Sequence, residues 1–71
     1  MNIEGQTIGE RIRSVRNLHG VSMHDLLKVV GRPKTDQSWL SRIESGEREI
    51  SVKDLKAIAV HFKVSIDELV P

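Results

Sequence analysis

Four times in this chain a Ser or Thr stands three residues before an acidic side chain: Thr7-Ile8-Gly9-Glu10, Ser22-Met23-His24-Asp25, Ser51-Val52-Lys53-Asp54 and Ser65-Ile66-Asp67-Glu68. That spacing marks a helix start. The hydroxyl accepts a hydrogen bond from an orphan amide of the first turn, while the carboxylate reaches back to the cap's own amide or favours the positive end of the helix dipole. Glutamate reaches further than aspartate, so the Thr7 and Ser65 starts are read as the stronger boxes. Asp36 adds a fifth start, and Gly20, Gly31 and Gly46 supply stops. Five starts within 71 residues leave room only for short helices, which confines the chain to a small all-α fold.

The apolar spacing supports this division. Ile8, Ile12, Val15 and Leu18 form one stripe on the first helix, and Leu55, Ile58, Ala59 and Phe62 form the i, i+3, i+4, i+7 stripe of a core-facing fourth helix. Leu26, Leu27, Val29 and Val30 make the end of the second helix apolar nearly all round, as expected of a central helix touched from several sides. Ile66 and Leu69 anchor the fifth. Pro33 lies in the connection between helices two and three. The expectation is one five-helix domain over residues 1–71, with a short flexible amino terminus over residues 1–6.

Size and composition exclude several classes of function. A chain this short buries only about 60% of its extended surface, so it has little stability to spare and oligomerisation is a common remedy. A deep active-site cavity is hard to accommodate, and a non-enzyme is expected. The absence of Cys rules out disulfides and thiolate metal sites and suits a reducing compartment. His19, His24 and His61 are scattered singly, so no metal site and no cofactor are expected. Residues 1–5 lack a basic region followed by an apolar run, and no segment approaches the roughly 20 apolar residues that span a bilayer. The expected setting is the cytoplasm, with no membrane partner.

The segment from Asp36 to Gly46 reads as a short capped helix with two unlike faces. At about 100° per residue, Leu40 and Ile43 point one way with Trp39 on their flank, whereas Gln37, Ser38, Ser41, Arg42 and Ser45 gather on the other. The outward set contains neither Lys nor Glu. A Gln amide can bind adenine at two points and an Arg guanidinium can bind guanine at two, while small serines let the backbone approach closely. Trp39 fits best as a lid on the core beside Ile43 and Pro33, the other reading being a contact to sugar-phosphate or a thymine methyl. The charge is also uneven, although the formal net is only +1. Eight basic residues face four acidic ones between Arg11 and Arg48, whereas three Lys face six acidic residues in the rest of the chain. Such an asymmetry suits a protein that turns one side to phosphates.

Taken in order, Ile8-Gly9-Glu10-Arg11-Ile12-Arg13, Val15-Arg16, Gly20-Val21-Ser22, Leu26, Gly31, Leu40-Ser41-Arg42-Ile43-Glu44-Ser45-Gly46-Glu47-Arg48, Leu55, Ile58-Ala59 and Val64-Ser65-Ile66-Asp67-Glu68-Leu69 resemble the Xre/Cro-type phage-repressor family of helix-turn-helix domains. The resemblance implies that helices two and three form the helix-turn-helix and that helix three enters the major groove of double-stranded DNA. On that basis Gln37, Ser38 and Arg42 are the base-reading candidates. Arg16 and Glu44 match the family's partly buried ion pair. Gly46 and Arg48 match the loop that holds phosphates, and Ser41 joins them on the backbone-contacting side.

Three departures from the family pattern bear on function. The segment Gly31-Arg32-Pro33-Lys34-Thr35-Asp36 is about three residues longer than the family's tight turn, and Arg32 and Lys34 become additional phosphate candidates. Met23 occupies a position where the family often places a phosphate-binding Gln. Leu27 stands where the family prefers Ala, consistent with a wider separation of the two helices. A homodimer on a palindromic operator is expected, joined through Ile50, Val52 and Val70, which fall off the core stripe; Val60 is apolar there too. A repressor of phage, plasmid or antitoxin type is the leading reading, with a toxin or antirepressor as a possible protein partner. The alternative is a protein-interaction adaptor that keeps the fold without reading bases, favoured by the near-neutral charge and by Met23.

Overall fold

The computed structural model describes residues 6–70 and is helical throughout its regular structure: α1 Ile8–Leu18, α2 Met23–Val29, a 3-10 turn Lys34–Asp36, α3 Gln37–Ser45, α4 Val52–Phe62 and α5 Ile66–Leu69. The expected flexible amino terminus lies, except for Gln6, outside the described residues. None of the described helices is long and apolar enough to cross a membrane.

The helix starts behave differently from one another. Thr7 makes the full reciprocal box, with its hydroxyl accepting from the Glu10 amide at 3.1 Å and its own amide donating to Glu10 Oε1 at 2.8 Å. Ser22 and Ser51 each accept one amide, from Asp25 and Asp54, and the shorter aspartates do not close the second half. Ser65 caps nothing with its side chain, contrary to the strong start expected there. α5 is a single turn held instead by buried Leu69 and by Arg11 of α1, whose Nη1 donates to the Glu68 carbonyl at 2.8 Å. Asp36 also gives no side-chain cap, because its carboxylate is taken by Arg32.

Three helices end on glycines, as expected. At the end of α3, Gly46 takes the left-handed φ of 85° that favours Gly. Its amide donates to the Ile43 carbonyl and that of Glu47 to the Arg42 carbonyl. α4 ends in the same geometry without a glycine: Lys63 adopts φ 57°, and Val64 donates to the Ala59 carbonyl.

The core is built from Ile12 of α1, Leu26 and Leu27 of α2, Leu40 and Ile43 of α3, the Leu55, Ile58, Ala59 and Phe62 stripe of α4, and Leu69. Leu18 departs from the expected stripe and is 82% exposed. At about 100° per residue Ile8, Ile12 and Val15 fall within about 60° of one another, and Leu18 lies about 60° beyond them on the last residue of the helix. His19 covers the core at that point, its ring 4.9 Å from that of Phe62. α1 packs mainly on α3, while α2 bridges α3 and α4. This arrangement holds α3 across the domain with its polar face outward.

Candidate nucleic-acid interface

Two opposite constraints orient α3. Leu40 and Ile43 are almost fully buried and fix its rotation about its own axis. Arg16 of α1 fixes its far end: Nε and Nη2 form a fork on the two carboxylate oxygens of Glu44 at 2.7 and 3.0 Å, and Nη1 donates to the Val21 carbonyl at 3.0 Å. Both side chains are shielded, at 12% and 4% exposure. One guanidinium thus joins α1, the start of the α2 segment and α3. Such two-point geometry needs Arg, since Lys offers a single ammonium point.

With the inner face so anchored, Gln37, Ser38, Ser41, Arg42 and Ser45 are all exposed along the outer face. Gln37 and Ser38 occupy the first two positions of α3 and Arg42 follows one turn later. Gln37 leans on α2, its Nε2 3.8 Å from Met23 Sδ, which leaves its carbonyl oxygen turned to other partners. Ser45 is engaged internally, its Oγ 2.8 Å from Glu47 Oε2 and 3.1 Å from the Arg42 carbonyl, so its single hydroxyl hydrogen has an acceptor within the protein. A carboxylate therefore borders the carboxyl end of the outer face.

The loop after α3 differs in detail from the expectation. The amides of Gly46, Glu47 and Arg48 all donate to carbonyls of Arg42 or Ile43, so they close the helix rather than point outward. The Arg48 side chain is exposed in this loop, and Gly46 serves the turn. In the α2–α3 connection, Lys34 is exposed. Arg32 has partners within the protein: its guanidinium lies 3.7 Å over the Trp39 ring and pairs with Asp36 at 3.1 Å. Trp39 itself is half-buried and packs against the core.

Sequence reasoning did not assign Arg13 to this face. It lines, together with Met23, Ser41 and Ser45, the crevice outside the Arg16–Glu44 pair. The available signal was its position three residues before Arg16, which puts both on the side of α1 turned to α3. The residues of the expected dimer surface differ in exposure: Val52 and Val70 are exposed at 66% and 41%, whereas Ile50 is half-buried against the core. Among the described residues no group of three or more His, Asp or Glu is assembled as for a metal ion.

Comparison with known proteins converges on the same elements. A helix-turn-helix family model matches residues 12–69. The solved structure of the restriction-modification controller protein C.AhdI from Aeromonas hydrophila is similar at 27% sequence identity and a TM-score of 0.73, over 87% of this chain and 89% of that one. No curated protein sequence matches significantly.

Proposed function

The chain belongs to the helix-turn-helix family, and from that premise we propose that it is a sequence-specific transcriptional repressor that binds a palindromic operator in double-stranded DNA as a homodimer. The observation that carries this reading is the outer face of α3, where five exposed side chains include Gln37, Ser38 and Arg42 and no Lys or Glu. Gln37 and Arg42 offer the two-point hydrogen-bonding geometry that distinguishes bases in the major groove, and Ser38 a small hydroxyl beside them. Lys34, Ser41 and Arg48, joined by Arg13, hold the phosphates on either side and set register. The chain acts by binding and not by catalysis, and it works without a cofactor in the cytoplasm.

The likeness to a restriction-modification controller supports a regulator of a small dedicated locus, alongside the phage, plasmid and antitoxin settings the sequence suggests. Binding measured on duplex DNA across a salt series tests the reading. The three cationic phosphate contacts per protomer, Arg13, Lys34 and Arg48, give a steep negative dependence of log affinity on log salt, with a slope of about −0.9 per neutralised phosphate. An adaptor that binds only protein would show no salt-dependent DNA binding at any concentration short of precipitation.

A further inference from the structure

The connection between α2 and α3 spans residues 30–36, long enough to leave the attitude of α3 undefined unless something holds it. Its backbone is held at both ends. The Arg32 amide donates to the Leu27 carbonyl at 2.8 Å and closes α2, while the Asp36 amide donates to the Pro33 carbonyl at 3.0 Å and closes the 3-10 turn. Between these points the Arg32 side chain folds back over the domain. Its guanidinium carbon lies 3.7 Å above the Trp39 ring, Nη1 pairs with Asp36 Oδ2 at 3.1 Å, and Nη2 lies 4.0 Å from Asp54 Oδ2 on α4. A single planar cation thus touches the connection, the first turn of α3 and the first turn of α4.

We propose that Arg32 is a positioning residue for base reading: it clasps the amino-terminal end of α3 to α4 and so sets the angle at which Gln37 and Ser38 are presented. This proposal rests on the DNA-binding function proposed above. Leu40 and Ile43 fix the rotation of α3, and Arg16 fixes its carboxyl end at Glu44. Ahead of Leu40 no side chain of α3 is fully buried, since Gln37 and Ser38 are exposed and Trp39 is half-buried, and the Arg32–Trp39–Asp36–Asp54 cluster holds this end from outside. A phosphate role for Arg32 is disfavoured by charge. Two carboxylates flank one guanidinium, which makes the cluster net negative and repels an approaching phosphate. The pair with Asp36 is about one-third exposed, and exposed pairs contribute little to stability. Its effect therefore falls on orientation more than on melting temperature. Stacking and forked pairing are properties of Arg that Lys lacks, so even the charge-conserving substitution loses the clasp.

The test compares wild type, Arg32→Lys, Arg32→Gln and Asp54→Asn. The DNA probes are a duplex selected from a random library by the wild-type protein and an unselected random duplex. Trp39 is the sole tryptophan, so its emission reports the clasp without DNA. The expected result is a changed Trp39 emission in both Arg32 variants and unaltered far-UV circular dichroism. The ratio of selected to random binding should fall about tenfold or more in Arg32→Gln, within the range that loss of a good base contact covers. Asp54→Asn should shift discrimination the same way, and the salt slope should stay at the wild-type value. A salt slope shallower by about 0.9 for Arg32→Gln with unchanged Trp39 emission would make Arg32 a phosphate contact and overturn the proposal. Unchanged discrimination in all variants would overturn it equally. Failure of the wild type to bind either duplex would remove the DNA-binding function instead, and unaltered Trp39 emission in the Arg32 variants would then still dismiss the clasp.

Discussion

A side-chain carbon added at Gly9 would lie 1.7 Å from the carbonyl oxygen of Ile43, closer than any real contact. Gly9 sits in the first turn of α1, buried where that helix crosses the carboxyl half of α3. The two opposing effects of Gly9→Ala differ in size. Ala gains about 1 kcal/mol of helix propensity over Gly, whereas forcing an atom into a filled interface costs about 3 kcal/mol when the obstruction is backbone. Net destabilisation of about 2 kcal/mol or more is expected in urea unfolding. A Gly9→Ala variant as stable as wild type would mean that α1 and α3 separate without cost.

The Arg16–Glu44 fork is shielded from water on both sides, so removing either partner leaves a charge that nothing else neutralises. Arg16→Gln and Glu44→Gln should each destabilise the domain by about 3 kcal/mol, a large part of the stability of a chain this small. Replacing both with apolar residues of similar volume should recover much of the loss. Thermal melts showing both single variants near wild type would place the pair among exposed bridges of negligible worth.

Lys63 holds a left-handed φ of 57° at the end of α4, where the other three long helices use glycine. The left-handed conformation costs a side-chain-bearing residue about 1 to 2 kcal/mol, and glycine gives back up to about 1 kcal/mol of that through unfolded-state entropy. Lys63→Gly should therefore stabilise by up to about 1 kcal/mol, raising Tm by a few degrees. A lower Tm in scanning calorimetry would count against the strain.

The linear pattern carries part of this architecture and leaves part of it out. Cap spacing and apolar period are local signals, and they place α1 to α4 and the outward polar set of α3 because those features depend on neighbours within one turn. The resemblance to the phage-repressor family pairs Arg16 with Glu44, and the structure brings them together across 28 positions. Leu18 was misread since a stripe's edge and a helix's end coincide there, and Ser65 because a single-turn helix is docked rather than capped. Gly9 and Arg32 were opaque for another reason. Their roles exist only where two distant segments meet, at Ile43 in one case and at Trp39 and Asp54 in the other.

Arg42 is exposed one turn beyond Gln37 and Ser38 on the outer face of α3. Loss of one good base contact costs about 1 to 3 kcal/mol of discrimination, so Arg42→Ala should keep its fold and melting behaviour while losing most of its preference for the selected duplex over random DNA. Quantitative gel shifts at fixed salt measure that ratio. If it matches wild type, the base-reading role belongs to other side chains.

Assembly is the remaining prediction. One short recognition helix makes too few contacts for a regulator's affinity, and a two-fold operator suits two reading helices one DNA turn apart, about 34 Å. Val52 and Val70 expose apolar surface at 66% and 41%, and Val60 at 77%, in a chain too small to bury them itself. Ile50, half-buried in the loop before α4, lies two positions ahead of Val52 at the start of that helix. We expect a two-fold dimer through Ile50, Val52 and Val70, weak in free solution and tightened when an operator holds both halves. Sedimentation velocity should show a concentration-dependent shift that DNA with two half-sites strengthens, and Val52→Glu should suppress it by placing like charges and unpaired carboxylates in an apolar contact. A strict monomer that fills a half-site with no gain from the second would dismiss both the dimer and the surface assigned to it.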